Sequence, residues 1–265
     1  AKYIRPFVQT NKTDAADAKA IWTAAGQPGM PTVAAKTADQ QAMLSLHRMR
    51  SQLVKFRTMQ VNQLRGLLYE FGVTFRAGRL AGLTEIRRRM AELEATLPER
   101  VLKGLQDQLK RIDGLEQEID GLEKQLGAWQ KQEPACRAIT AIPGIGRLTA
   151  TALVAMIGDA CTFKSGREFA SYLGLVPRQR GTGGKLKLGS ISKRGDPYLR
   201  TLLIHGARSV LSHAKVPTDW QQQIQARRPA NVAAVALANK MARTAWAILA
   251  HDRAYQQDYV SIRPA

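Results

Sequence analysis

The sequence predicts a mainly α-helical chain, and three observations carry that prediction. Between 98 and 132, Leu105, Leu109, Ile112, Leu115, Ile119, Leu122, Leu126 and Trp129 alternate steps of four and three, with Glu, Lys, Gln and Asp filling the positions between. That is the spacing of a heptad seam. From Lys36 to Phe71 a second run places Leu46, Met49, Leu53, Phe56, Leu64, Leu67 and Phe71 mostly three or four apart. Beyond Pro134 the chain becomes compact and glycine-punctuated, with short helical patterns between the breaks.

Taken in order, residues 1–10 (AKYIRPFVQT) alternate weakly and read as a short strand interrupted at Pro6. A helix begins near Asn11–Asp14 and runs to about Ala25, where Gly26, Pro28, Gly29 and Pro31 stop it. The 36–71 helix follows, then a break over Gly72–Gly82. The 98–132 helix would reach about 50 Å. It cannot bury its stripe alone, so it is expected to pair with the 36–71 helix, with another subunit, or with both. Residues 135–158 suggest helix–turn–helix, 165–174 a short helix, and 176–196 a loop or β-ribbon. Asp196-Pro197 opens a helix to about Ala214, and a last helix covers about 230–250. The organisation divides into 1–35, 36–133 and 134–265.

With 45% hydrophobic residues in 265, the chain has enough apolar side chain for a core. Its 40 Lys+Arg against 21 Asp+Glu give a formal net charge of +19. Such an excess repels itself in a compact fold, and a polyanionic partner, nucleic acid, accounts for it. Cys136 and Cys161 allow one disulfide but no disulfide framework or zinc site. His47, His205, His213 and His251 do not cluster at metal-ligand spacing. No apolar run is long enough for a membrane span, and no signal peptide is present. The chain starts at Ala1 and reads as a fragment or a trimmed product.

Three motifs bear on chemistry. In ITAIPGIGRLTATALVAMIG, Pro143 ends one helix, while Gly144 and Gly146 allow a tight turn and the close approach of a partner. The amides opening the next helix could then meet a phosphate, with Arg147 adding charge and Ile142 and Ile145 anchoring the turn. The other reading is an ordinary helix–helix turn. In the loop 177–196, Gly181, Gly183 and Gly184 expose backbone amides, with Arg178, Arg180, Lys185, Lys187, Lys193 and Arg194 around them and Arg200 just beyond. Thr182, Ser190 and Ser192 supply hydroxyls. The loop reads either as a phosphate-binding element without chemistry or as a hydroxyl nucleophile among cations. In NKTDAADA, Asp14 and Asp17 share one helical face. They read equally as two Mg²⁺ ligands awaiting others or as acids at a helix start capped by Asn11 or Thr13.

NKTDAADA, IPGIGRLTATALVAMIG and LVPRQRGTGGKLKLGSISKRGDPYLRTLLIHGA occur in one order, and that order closely resembles the insertion-sequence-110 (IS116/IS110/IS902) family of DEDD transposases, relatives of the Piv DNA invertase. The resemblance covers nearly the whole chain. It implies a remnant of an RNase H-like (RuvC-type) domain over 1–35, an antiparallel coiled-coil linker over 36–133, and a helical C-terminal transposase domain with a helix-hairpin-helix-like element over 134–265. It implies DNA recombination guided by a structured non-coding RNA, with four acids holding Mg²⁺ and a serine as nucleophile. By motif position Asp14 and Asp17 match the last two acids, and Thr182 falls where the family serine stands, with Ser190 as runner-up. The segment with the two earlier acids would precede Ala1, so the chain is expected to bind Mg²⁺ weakly or not at all and to be inactive alone. The alternative is a truncated nucleic-acid-binding and oligomerising module. The implied partners are DNA, a guide RNA and further copies of the chain, as a dimer or tetramer through the coiled coil. The implied location is the bacterial cytoplasm, at the nucleoid.

Overall fold

A computed structural model of the chain describes residues 4–8, 13–30 and 33–257, which divide into two compact units, Ala1–Ala35 and Lys36–Ala265. In the first unit a 3-10 turn over Arg5–Phe7 precedes α1 (Asp14–Ala25). The described part of the strand expected over 1–10 is therefore a turn, because Pro6 fixes φ and has no N–H for a ladder. Thr13 caps α1, its hydroxyl accepting from the Ala16 amide at 3.2 Å. Asp14 and Asp17 lie in the first turn, where the helix dipole favours acids. Asn11 and Pro31 lie outside the described residues.

The second unit begins with a long helical arm, the hairpin of α2 (Ala38–Glu70) and α5 (Glu99–Gln132). Thr37 and Gln40 form a reciprocal capping box at the start of α2. The two helices run antiparallel. Arg50 pairs with Glu123 at 2.6 Å, and further along Gln108 donates to the Gln60 carbonyl at 2.9 Å. The predicted seam of α5 faces this contact, with Leu105, Leu109, Ile112, Ile119 and Leu126 all buried.

The stripe predicted for α2 is rotated. Leu44, His47, Val61, Leu64 and Leu68 are buried, while Met49, Phe56, Leu67 and Phe71 are exposed. The apolar arc of α2 is wider than one partner helix covers, and periodicity alone does not say which edge that partner takes. Two further helices, α3 (Arg79–Arg88) and α4 (Met90–Thr96), close the far end of the arm. Their Leu83, Ile86 and Leu93 pack with Val61, Leu64 and Leu68 of α2 and Leu105 and Ile112 of α5 into a separate small core.

Among the described residues six α-helices build the rest: α6 (Pro134–Thr140), α7 (Arg147–Ile157), α8 (Gly166–Tyr172), α9 (Pro197–His213), α10 (Asp219–Arg227) and α11 (Ala230–His251). An antiparallel ribbon, β1 (Pro177–Thr182) and β2 (Lys185–Ile191), stands between α8 and α9. Helix α7 lies at the centre, buried continuously from Thr149 to Ala155. Ala233, Ala234, Ala238, Ala242 and Ala245 line the buried face of α11, and small side chains let α8 and α9 approach it closely. Helix α7 also packs against both α2 and α5. The arm and the C-terminal half therefore belong to one unit, across the sequence-derived boundary at 133/134. Cys136 is buried and Cys161 exposed, and both are free thiols. Burial pushes the Cys136 thiol up to about 12. Among the described residues no helix is long and apolar enough to cross a membrane.

Candidate nucleic-acid interface

The glycine-rich basic segment is a β-hairpin. Gly183 and Gly184 form its two-residue turn with φ of +56° and +77°, the left-handed pair that a tight hairpin needs and glycine adopts without strain. Arg180 lies opposite Lys187, and Thr182 opposite Lys185. Gln179 lies opposite Leu188, and Gly181 opposite Leu186. Strand alternation therefore gives one face to Arg180, Thr182, Lys185 and Lys187 and the other to Gln179, Leu186 and Leu188. Like charges directly opposite each other destabilise a strand pair. The Arg180–Lys187 pairing thus has no structural benefit and would be relieved by an anion. Every hairpin residue from Pro177 to Ser190 is exposed.

The β-hairpin is anchored at its base. The register slips between Pro177 and Gln179, and the Arg178 guanidinium reaches the Ser192 carbonyl at 3.4 Å. The Ser192 amide donates to the Val176 carbonyl at 2.8 Å, and the Lys193 amide to the Gly174 carbonyl at 3.2 Å. Lys193 and Arg194 are exposed beside the hairpin base. Ser190 is exposed on β2, while the Ser192 hydroxyl accepts from the Arg194 amide. Asp196 caps α9, its carboxylate accepting from the Tyr198 and Leu199 amides at 2.6 and 3.3 Å.

Arg200 departs from the expectation that it faces a nucleic acid. It is buried, and one guanidinium nitrogen donates to the carbonyls of Leu173 at 3.0 Å and Arg194 at 2.6 Å. A buried cation held by carbonyls positions the segment after the hairpin. Helix periodicity set its fate: Leu199, Leu203 and Ala207 face the core, and Arg200 borders that stripe.

The glycine turn also departs from the expectation at one of its two glycines. Gly144 has φ +88° and packs inward, so a Cβ there would lie 2.9 Å from the Gly206 carbonyl oxygen and 2.8 Å from the Met241 methyl. Ile142 and Ile145 anchor the turn as expected. Gly146 remains open, and a Cβ there would meet nothing within 4 Å. Arg147 leans along α5 and pairs with Glu123 at 3.4 Å. Gly144 is thus committed to the interior, while Pro143, Gly146 and Arg147 are exposed at this turn.

Asp14 and Asp17 belong to the first unit, where Asp14 is exposed and Asp17 partly buried. Among the described residues no group of three or more His, Cys, Asp or Glu could hold a metal ion. Mg²⁺ requires a near-octahedral oxygen shell. Asp14 and Asp17, both in the first turn of α1, would supply two of those oxygens.

One polar network leaves no local signal in the sequence. His47 of α2 is buried and bonds Tyr198 of α9 through Nδ1 and Thr151 of α7 through Nε2, both at 3.0 Å. The Thr151 hydroxyl donates to the Arg147 carbonyl at 2.9 Å, so it accepts from Nε2–H and the Tyr198 hydroxyl donates to Nδ1. Three helices far apart in sequence meet at this neutral imidazole. Burial, with Arg50 nearby, lowers its pKa from 6.5 to about 4. The unfolded chain therefore takes up this proton first as pH falls. The network's stability is full above about pH 6.5, is lost progressively toward pH 4, and levels off below. The loss is on the order of 3 kcal/mol. A His47→Phe variant is expected to start less stable and to lose that pH dependence, as measured by urea unfolding at about pH 7 and about pH 4.5.

Comparison with known proteins places these elements in a family. The profile of the Transposase IS116/IS110/IS902 family matches residues 136–224, from α6 through the hairpin into α10. A probable family 20 transposase of Pseudomonas aeruginosa is 47% identical over 263 residues, covering 96% of this chain and 77% of that protein. The transposase for insertion sequence element IS1111A of Coxiella burnetii is 39% identical over 259 residues, covering 96% and 71%. A pilin gene-inverting protein of Moraxella lacunata is 29% identical over 123 residues, covering 45% and 38%. Similarity of this extent, running through the glycine turn, the hairpin and the helix that follows it, shows that the chain belongs to the IS116/IS110/IS902 family of transposases.

Proposed function

We propose that the chain is the strand-handling part of a DNA recombinase, and that the β-hairpin is where it meets DNA. The observation that carries this reading is the cationic face of Arg180, Lys185 and Lys187 around Thr182, held out from an anchored base. The turn at Gly146 would add a second backbone contact of helix-hairpin-helix type, and residues 1–35 would be the end of an RNase H-like domain. Thr182 Oγ would attack a DNA phosphorus. A threonine–phosphate bond forms, one strand P–O bond breaks, and the leaving sugar oxygen takes up the proton that threonine gives up. The neighbouring cations stabilise the charge of the transition state. Mg²⁺ would be held by Asp14 and Asp17 only with ligands beyond those two. A structured guide RNA would supply target choice, and work on chromosomal DNA would place the protein at the nucleoid.

The test is covalent trapping on the DNA that flanks the gene. In a longer protein that also carries the two earlier acids, Thr182→Ala is expected to abolish a protein–DNA adduct that the unsubstituted protein and Ser190→Ala both form, with Thr182→Ser retaining it. An adduct lost in Ser190→Ala and kept in Thr182→Ala would move the nucleophile to Ser190.

A second reading, a binding and oligomerising module without chemistry, is favoured by the outer face of α2. Met49, Phe56, Leu67 and Phe71 are exposed there and lie close to one line by helical spacing. A second copy of the arm would cover them. Salt-sensitive DNA binding with no adduct from any variant would select this reading.

A further inference from the structure

A cleft of about 2150 Å³ opens beside the hairpin base and runs along α10 and α11. Among the described residues its lining carries five cations, Arg167, Lys215, Lys240, Arg243 and Arg253, and no Asp or Glu. All five are exposed, and none takes part in the ion pairs found among the described residues. The floor is apolar, with buried Ile142, Leu237, Met241 and Ile248. Two tryptophans line it. The Lys240 ammonium sits 4.9 Å from the Trp220 ring centroid, and Trp246 is fixed by its Nε1–H, which donates to the Ala160 carbonyl at 3.0 Å. At one end the cleft reaches Ser190 and Ile191 of β2.

This composition does not suit a duplex, which presents phosphates on a convex surface and has no use for an apolar floor. It suits an unpaired strand, whose bases seek aromatic and apolar contact while its phosphates meet cations. We propose that the cleft binds single-stranded DNA where a strand leaves the hairpin. The proposal rests on the reading above that the hairpin handles DNA. It assigns a binding role to Lys215, Trp220, Lys240 and Arg243, outside the glycine-rich motif.

The test uses the full chain with labelled single-stranded and duplex oligodeoxynucleotides of mixed sequence. A Lys215→Ala/Lys240→Ala/Arg243→Ala variant retains its fold because the three side chains are exposed, as a thermal melt would verify. It is expected to lose about tenfold or more in single-strand affinity and under about threefold in duplex affinity. Lys110→Ala, on the arm, is expected to change neither. Tryptophan fluorescence is expected to quench with the single strand and not with the duplex. Unchanged single-strand affinity, or equal losses on both DNAs, would overturn the proposal, as would about tenfold tighter binding of RNA of the same sequence. Loss of binding in a hairpin variant alone would sink the cleft and leave the hairpin reading standing. No DNA binding by the wild type would defeat both.

Discussion

Gly206→Ala is expected to destabilise the protein by about 3 kcal/mol and to lower its melting temperature by about 10 °C. The Cβ added at Gly206 would lie 2.0 Å from the Gly144 carbonyl oxygen, a backbone atom that cannot swing aside. On the other side of the same contact, Gly144 has φ +88° and faces Gly206, Val210 and Met241. Two glycines therefore let the α6–α7 turn lie directly on α9. Gly146→Ala makes the contrast, because a Cβ there meets nothing within 4 Å and φ is −84°. Its expected cost is under about 1 kcal/mol. Differential scanning calorimetry on the two variants checks the pair. Similar melting temperatures for both would mean that the turn does not pack through Gly144.

Replacing Arg178, Arg180, Lys185 and Lys187 together by Ala is expected to weaken DNA binding about a hundredfold or more at moderate salt. Stability should change little, because relief of the Arg180–Lys187 pair offsets the loss of the Arg178 bond to the Ser192 carbonyl. The side chains are exposed, and removing Arg180 and Lys187 removes a like-charge pair directly across the strands. That combination separates the hairpin from ordinary structural elements, in which loss of function follows loss of fold. Binding by fluorescence anisotropy and a thermal melt on the same variant measure both halves.

The hairpin and the long helices are legible in the sequence because each has a local cause. The KLKL alternation with two adjacent glycines encodes a tight turn between short strands, and the heptad steps of α5 encode one buried stripe. Helices α3 and α4 carry a periodic signal too, Leu80, Leu83, Ile86, Met90 and Leu93, but the preceding glycines and the arginine run obscure it. Helix α10 is short and mostly polar, so its single buried residue, Ile224, gives no pattern. What stays illegible depends on contacts distant in sequence. His47 and Tyr198 are 151 positions apart. Arg200 looks like its neighbours Lys193 and Arg194 until the Leu173 carbonyl arrives from the end of α8. Gly144 and Gly146 are alike in sequence, and only the packing of α9 and α11 makes one interior and leaves the other open.

The most direct measurement of the hairpin's role is the slope of log Kobs for duplex DNA against log salt, for wild type and the four-alanine hairpin variant. If the four cations each meet a phosphate, the slope should become shallower by about 0.9 per cation removed. Parallel lines for the two proteins would show that the hairpin meets no phosphate, and the account given for it would be wrong.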